Sequence, residues 1–395
     1  MLKKLFCILL AATLCALSFG CGKAVKPITP SEAKIGVVMP DSGTIGLSGA
    51  ILQGLQKSAA SLGFPEPICI NDVTDTAFDA SSSLSLETEA TETQAETTLA
   101  PSEPESFTQE DGQVVVRAVP VPEQPPVTAA DAAAQLLNEG CGILVFADAR
   151  YDGFSAWLAP QFKDAVVLQY RGAHTDIPNL QSFSDSVYEA FYLAGVAAGS
   201  EGVKQIGFTA RKGDAEEKQC INAFALGAAA YEPKAHVTVG FTGVDLDLDR
   251  ERTVPLSLIE TDKCALLAQS VYTALPVSVA ANIEGATKRS PLPCIGFGYD
   301  MVRDGGSKYL CSVVYNFSVY FDAALTALQN GAFDPAPYTG GVKEKLTVLS
   351  PLQNASEKTV KNVQAAADAF AEGSLSVFDG FKSEKNGYAS NVTIR

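Results

Sequence analysis

Histidine is nearly absent from this 395-residue chain, which has two, His174 and His236, beside one tryptophan, Trp157, and three methionines. So few imidazoles argue against a multi-histidine metal centre and against most hydrolase templates that run on a histidine base. His174 lies in Arg171-Gly172-Ala173-His174-Thr175-Asp176, with no nucleophile pattern beside it, and no Gly-x-Ser-x-Gly elbow occurs in the chain. Basic charge is scarce as well: 29 Lys and Arg stand against 45 Asp and Glu, a net charge of −16. Such a balance repels phosphate backbones and excludes nucleic-acid binding through a basic face. Cys-x-x-Cys pairs are missing, which removes the usual zinc and redox motifs. What is plentiful is apolar surface, with 47% hydrophobic residues and a mean hydropathy of +0.11, enough for two cores.

The first segment reads as an address. Lys3 and Lys4 precede an apolar run from Leu5 to Phe19, too short for a span of about 20 residues, and Gly20-Cys21-Gly22-Lys23 follows. This resembles a bacterial lipoprotein signal, which implies cleavage before Cys21 and acylation of its sulfur, although Ser18 stands where such signals prefer leucine. Ordinary secretion, with Cys21 a plain thiol, is the alternative. The expected segments are a signal peptide at 1–20 and a lipidated tether at 21–33, with the rest of the chain extracytoplasmic. Six widely spaced cysteines remain in the body: Cys69, Cys141, Cys220, Cys264, Cys294 and Cys311. Most begin or sit inside apolar runs and are expected to be buried single thiols.

After the tether, strand-like runs alternate with helix-like ones. Lys34–Met39 reads as a buried strand, and Ile51, Leu55, Ala59 and Leu62 recur at helical spacing, with Ser48 as N-cap and Gly63 as stop. A short strand at Ile68–Ile70 follows. From Asp72 to Gly112 the chain then carries eleven acids and no Lys or Arg, amid Ser, Thr and Ala, which accounts for eleven of the sixteen excess negative charges. This stretch, 72–112, is expected to be a disordered acidic insert, because it cannot bury enough apolar surface to offset its ordering entropy. Val114–Val116 reads as a strand ended by a cluster of Pro120, Pro122, Pro125 and Pro126. From Thr128 the alternation resumes. Helices are expected near 128–140, 154–158, 187–198, 215–231 and 317–328, and strands at 143–146, 165–168, 205–209, 236–241, 264–268 and 294–297. This grammar predicts an α/β protein of two doubly wound parallel-sheet lobes, whose ligands bind beyond the carboxyl ends of the strands.

Three post-strand loops carry polar groups. Asp41-Ser42-Gly43-Thr44-Ile45-Gly46-Leu47-Ser48 places hydroxyls and two glycines before a helix, without the endings of a P-loop or a dinucleotide fingerprint. Asp148, Arg150 and Tyr151 follow one strand, and Tyr299 and Asp300 another. Tyr272 lies just past the strand that begins at Cys264. Aromatic faces beside a few polar groups suit a small-molecule cleft.

With these residues in view, the chain resembles the basic membrane protein (BMP) family, the purine-nucleoside-type substrate-binding lipoproteins of ABC transporters, with a type I periplasmic-binding fold. The carriers are Lys34-Ile35-Gly36-Val37-Val38 with Asp41–Ile45, Tyr188-Glu189-Ala190-Phe191-Tyr192-Leu193-Ala194-Gly195-Val196, and Gln205-Ile206-Gly207-Phe208. Ala223–Ala228, Ser312-Val313-Val314 and Phe378-Asp379-Gly380-Phe381-Lys382 add to them. The resemblance implies a ligand held between two lobes by hinge closure and delivered to a permease. It also implies crossings near Asn179–Phe183 and Leu310–Val314, hence an N-terminal lobe of 34–178 plus 311–335 and a C-terminal lobe of 179–310 plus 336–395. Three family contacts are replaced here. Gly46–Ile51 stands for a loop carrying an aromatic and an amide, Gly298 for a ribose-binding Asp with Asp300 two residues on, and Tyr315 for a lysine.

The expected ligand-binding residues are therefore Ser42, Thr44, Asp148, Tyr272, Tyr299, Asp300 and Tyr315. The expected function is capture of a small polar ligand, nucleoside-like or a diverged relative, by a lipid-anchored monomeric receptor that partners ABC permease subunits. No catalysis, cofactor, metal or nucleic acid is expected. A ligand-sensing component that signals to a membrane partner is the alternative.

Overall fold

The computed structural model describes residues 25–74, 126–244, 246–286 and 290–395. Cys21, the signal, Val114–Val116 and nearly all of the acidic stretch lie outside them. The first strand, β1 (Lys34–Val38), is buried along four of its five residues, as a parallel strand covered on both faces must be. Helix α1 (Gly46–Leu62) follows and stops at Gly63, whose φ of 79° supplies the left-handed C-cap. Its N-cap is Ile45 rather than Ser48, whose hydroxyl serves Asp41 instead. Strand β2 (Ile68–Ile70) completes the unit, and the chain leaves at Thr74. Thr74 bridges to Thr128, with Thr74 N–H donating to the Val127 carbonyl at 2.9 Å, so the two ends of the intervening stretch are joined. Helix α2 (Ala129–Asn138) then opens with a reciprocal capping box between Thr128 and Asp131.

Strands β3 (Cys141–Phe146), β4 (Val166–Tyr170) and β5 (Leu180–Asp185), with helix α3 (Asp152–Leu158) after β3, extend the first sheet. The second lobe begins with α4 (Val187–Ser200), followed by β6 (Gln205–Ala210), α5 (Ala215–Tyr231) and β7 (His236–Phe241). It continues through α6 (Leu248–Glu260), β8 (Leu266–Gln269), α7 (Leu275–Ala281), the short α8 (Ile283–Ala286), β9 (Cys294–Gly298) and β10 (Tyr309–Tyr315). Helix α9 (Ser318–Gln329) and β11 (Tyr338–Gly340) return to the first lobe, and β12 (Thr347–Leu349), α10 (Glu357–Ala371) and β13 (Val392–Ile394) close the second. The sheet orders are β11-β5-β4-β3-β1-β2 and β12-β10-β9-β8-β6-β7-β13, and every pairing is parallel except β10 with β12. Two doubly wound lobes are thus present as expected.

The crossings differ from the expectation. Residues 180–185 belong to the first sheet, so the chain crosses after Asp185, not near 179. Residues 311–315 belong to the second sheet, so the return follows Tyr315. The third crossing, expected after residue 335, falls between Gly340 and Thr347, because 338–340 still pair within the first sheet. Backbone bonds tie the crossings together, with Ser186 N–H donating to Gly340 O at 2.8 Å and Asn316 N–H to Leu346 O at 2.7 Å.

Candidate functional site

Because both sheets are parallel, the loops at their carboxyl ends collect at one edge of each lobe, and the two edges face each other. Between them lies a cavity of about 380 Å3. From the first lobe it is lined by Asp41, Ser42, Ile45–Ser48, Asp148 and Arg150, and from the second by Arg211, Asp214, Glu216, Leu246, Glu251 and Tyr272.

In the first lobe, Asp41 fixes the loop after β1. Its carboxylate accepts from Gly43 N–H at 2.8 Å and from the Ser48 hydroxyl at 2.6 Å, an Asx-type turn that presents Ser42 and Thr44, themselves 2.9 Å apart. Asp148 accepts from the Arg150 N–H at 2.8 Å and from its Nε at 3.1 Å, so this acid and guanidinium pair locally. Behind them the buried Gln169 of β4 donates to the carbonyls of Asp148 (2.8 Å) and Tyr170 (2.7 Å).

The second lobe repeats the device. Buried Gln269 of β8 donates to the carbonyls of Val271 (2.8 Å) and Thr273 (2.7 Å), which sets the loop carrying Tyr272. Glu217, with no exposed side-chain surface, accepts from the N–H groups of Arg211, Lys212 and Gly213 at 2.7–2.8 Å and from Ser270. Those charge-assisted bonds hold the loop after β6 so that the Arg211 guanidinium lies 4.9 Å from the Tyr272 ring centroid. Tyr272 leans in turn on Phe297 at 5.0 Å. Glu251 on α6 is buried at the cavity wall and accepts from Thr273.

An adjoining hollow of about 490 Å3 shares Ile45, Gly46 and Tyr272 with the first and adds Thr44, Gln53, Gln56, Gly298 and Tyr299. Ser42, Asp148 and Tyr272 therefore line the main cavity, and Thr44 and Tyr299 its extension. Burial, and secondarily the Asp304 carboxylate, raises the Tyr299 phenol above its usual range.

Two expected residues are placed otherwise. Asp300 accepts from the Tyr309 hydroxyl at 2.7 Å and from Val302 N–H at 3.2 Å, a bracing role outside either hollow. Tyr315 is 8% exposed and stacked on Phe317 at 5.4 Å, edge-on to Phe297 at 5.7 Å, and burial pushes its phenol far up. It belongs to the aromatic seam beneath the cleft. Arg211, Asp214, Glu216 and Glu251 went unread in the sequence; the first three follow a recognised strand, and the same post-strand rule reaches them. His174 sits at the surface, 3.6 Å from Asp152. No group of three or more metal-ligating side chains occurs among the described residues.

Comparison with known proteins agrees with this fold. The model of the PnrA-like ABC transporter substrate-binding protein family (Bmp) matches residues 124–369. A Haloferax volcanii protein provisionally named ABC transporter glucose-binding protein TsgA13 is 26% identical over 225 residues, 56% of this chain. The chain spans about half the length of that curated relative, 55%. Among solved structures, a solute-binding protein of an ABC transporter system from Conexibacter woesei superposes with a TM-score of 0.62 at 14% identity, covering 87% of this chain and 98% of that one. A transcriptional activator of the comK gene from Bacillus halodurans gives 0.61 at 12% identity, covering 87% and 99%, which shows that the fold alone does not fix the role. With its two parallel-sheet lobes and a family match over well over half its length, the chain belongs to the PnrA-like (Bmp) family of ABC transporter substrate-binding proteins.

Proposed function

We propose that the protein is the lipid-anchored, extracytoplasmic receptor of an ABC importer and that it captures a small, uncharged, polyhydroxylated ring compound, a sugar or a nucleoside, in the interlobe cavity. One observation carries this reading: guanidinium and carboxylate groups from both lobes converge on a single space, Asp148 with Arg150 from one side and Arg211 with Asp214 and Glu251 from the other. A hydroxyl both donates and accepts, so adjacent hydroxyls on a ring match a donor beside an acceptor. The five carboxylates in the lining outnumber its two arginines, which disfavours phosphorylated or carboxylated solutes. The family match supports delivery to a permease, and the name of the Haloferax relative supports a sugar. Cys21 is the proposed anchor, and a Cys21→Ala chain is expected to be released from membranes.

The test is a thermal-shift panel on ligand-stripped protein with sugars, nucleosides and their phosphate esters. At about a hundred times its dissociation constant a true ligand adds roughly 2.7 kcal/mol to folded-state stability. A neutral sugar or nucleoside is expected to shift the transition and its phosphate ester is not. A shift with phosphate esters alone, or with no member of the panel, contradicts the reading.

A further inference from the structure

The two lobes are joined by a charged contact at the margin of the ligand cavity. Arg171 follows β4 in the first lobe with φ 53°, a left-handed conformation that a branchless glycine adopts more readily than arginine, so something must hold it there. The holding groups are visible. Its Nη2 donates to Asp185 at 2.9 Å, its guanidinium lies 4.9 Å from the Tyr170 ring centroid, and its own N–H donates to Phe183 O at 2.7 Å. Asp185 has no exposed side-chain surface and stands at the first crossing; it also accepts from the Tyr170 hydroxyl and from Val187 N–H at the start of α4. From this anchored position Arg171 reaches across to the second lobe and grips both carboxylate oxygens of Glu216, in the first turn of α5. Glu216 also lines the ligand cavity, and together with Arg171 and Asp185 it lines a second hollow of about 340 Å3 beside the crossing; Arg171 is not part of the ligand cavity's lining.

We infer that Arg171 is a positioning residue that sets the lobe closure of the empty receptor, by holding Glu216 of the second lobe from a strut anchored at the crossing carboxylate Asp185. The geometry has the needed asymmetry. The Arg171–Asp185 half lies within the first lobe and beside the crossing, where opening moves little; the Arg171–Glu216 half spans the lobes and must break when the cleft opens. A two-point guanidinium–carboxylate contact is directional, so it fixes orientation as well as separation. Both partners keep some exposure, 24% and 36% of their side chains, so salt weakens the contact and its breakage leaves no buried orphan. A solute that contacts the linings of both lobes favours the closed arrangement, so the closed fraction of the empty protein scales its apparent affinity. Arg171 thereby tunes affinity without touching solute.

The experiment needs no ligand. Fluorophores are placed through genetically encoded side chains at the exposed Lys163 of the first lobe and Arg252 of the second, and single-molecule energy transfer is read on stripped protein. Glu216→Gln, which leaves the Arg171–Asp185 half intact and a folded first lobe, is expected to lower the ratio of short-distance to long-distance molecules on the order of fivefold, the effect of losing one partly exposed ion pair. Arg171→Gln does the same, Arg171→Lys falls between, and the double variant is no more open than either single one. Raising salt from 0.05 to 0.5 M, roughly a threefold shorter screening length, opens the native protein but not Glu216→Gln. An unchanged distance distribution in Glu216→Gln, or single effects that add in the double variant, overturns the inference while leaving solute capture untouched. A failed solute panel alongside the expected shifts overturns only the proposed function.

Discussion

Glu217 accepts from three successive N–H groups and from Ser270, and among the residues those bonds hold in place Arg211 lines the cavity. Glu217→Gln keeps the shape but turns one acceptor into a donor, stranding buried N–H groups, and is expected to cost about 1–3 kcal/mol in denaturant titrations. It should also lower affinity for the solute by freeing Arg211, a second readout that separates it from a simple core defect. Thiols give a different residue-scale expectation. None of the six described cysteines is in a disulfide, and five of them are buried. Burial pushes the Cys294 thiol up to about 12, and burial with the nearby Glu139 pushes Cys141 to about 11. Thiolate is the reactive form, so at pH 8 a disulfide reagent should titrate at most Cys69 in the native protein and all six only after unfolding. Rapid native modification of several thiols would show the cores to be open. At this scale the sequence was legible as to place: polar residues shortly after a recognised strand, Ser42, Asp148 and Tyr272, stand in the cavity lining. It was misleading for Asp300 and Tyr315, because strand position does not say whether a side chain meets the cleft or, like Asp300, a neighbouring hydroxyl.

At the scale of elements, α4 and α5 pack with almost no side chain between them. A Cβ on Gly195 would fall 2.0 Å from Phe224 O, and one on Gly227 would fall 2.1 Å from Tyr192 O. The helices can meet this closely only because both positions lack a Cβ. Gly227→Ala must therefore push the helices apart, and a loss of about 1–3 kcal/mol or more is expected in thermal or denaturant unfolding. Gly142, on β3, has nothing within 4 Å of its would-be Cβ, so Gly142→Ala serves as a near-neutral control. The segment Tyr188–Val196, which carried much of the family resemblance, is the first of these two helices, so the motif reports a packing demand. Helix α6 escaped the reading because Pro255 lies inside it and its first turn is rich in acids, which blurs the apolar periodicity. Strands β11 and β12 are three residues each, too short for a period of two to show.

Across the whole molecule the alternation of strands and helices predicted two parallel sheets correctly, but not where the chain passes between them. A crossing is set by which sheet edge accepts a strand, and neither the mixed β5 nor the apolar β10 carries a mark in its residues of the sheet it joins. The joined ends at Thr74 and Thr128 lead to a further expectation: a chain lacking residues 76–124 should melt within a few degrees of the full protein, because lengthening a closed loop is thermodynamically cheap. A collapse of the transition would mean that the stretch is packed against a lobe.

The central claim, that solute is held between the lobes by charged groups from both, is tested most directly by calorimetric titration of the solute giving the largest thermal shift. The titration compares native protein with Asp148→Asn, Arg211→Ala and Asp300→Asn. The account predicts at least about a tenfold loss of affinity for the first two, one from each lobe, since each strands a polar group of the bound solute. It predicts native affinity for Asp300→Asn, whose carboxylate serves Tyr309. Native affinity in both cavity variants, or a loss confined to Asp300→Asn, would contradict it.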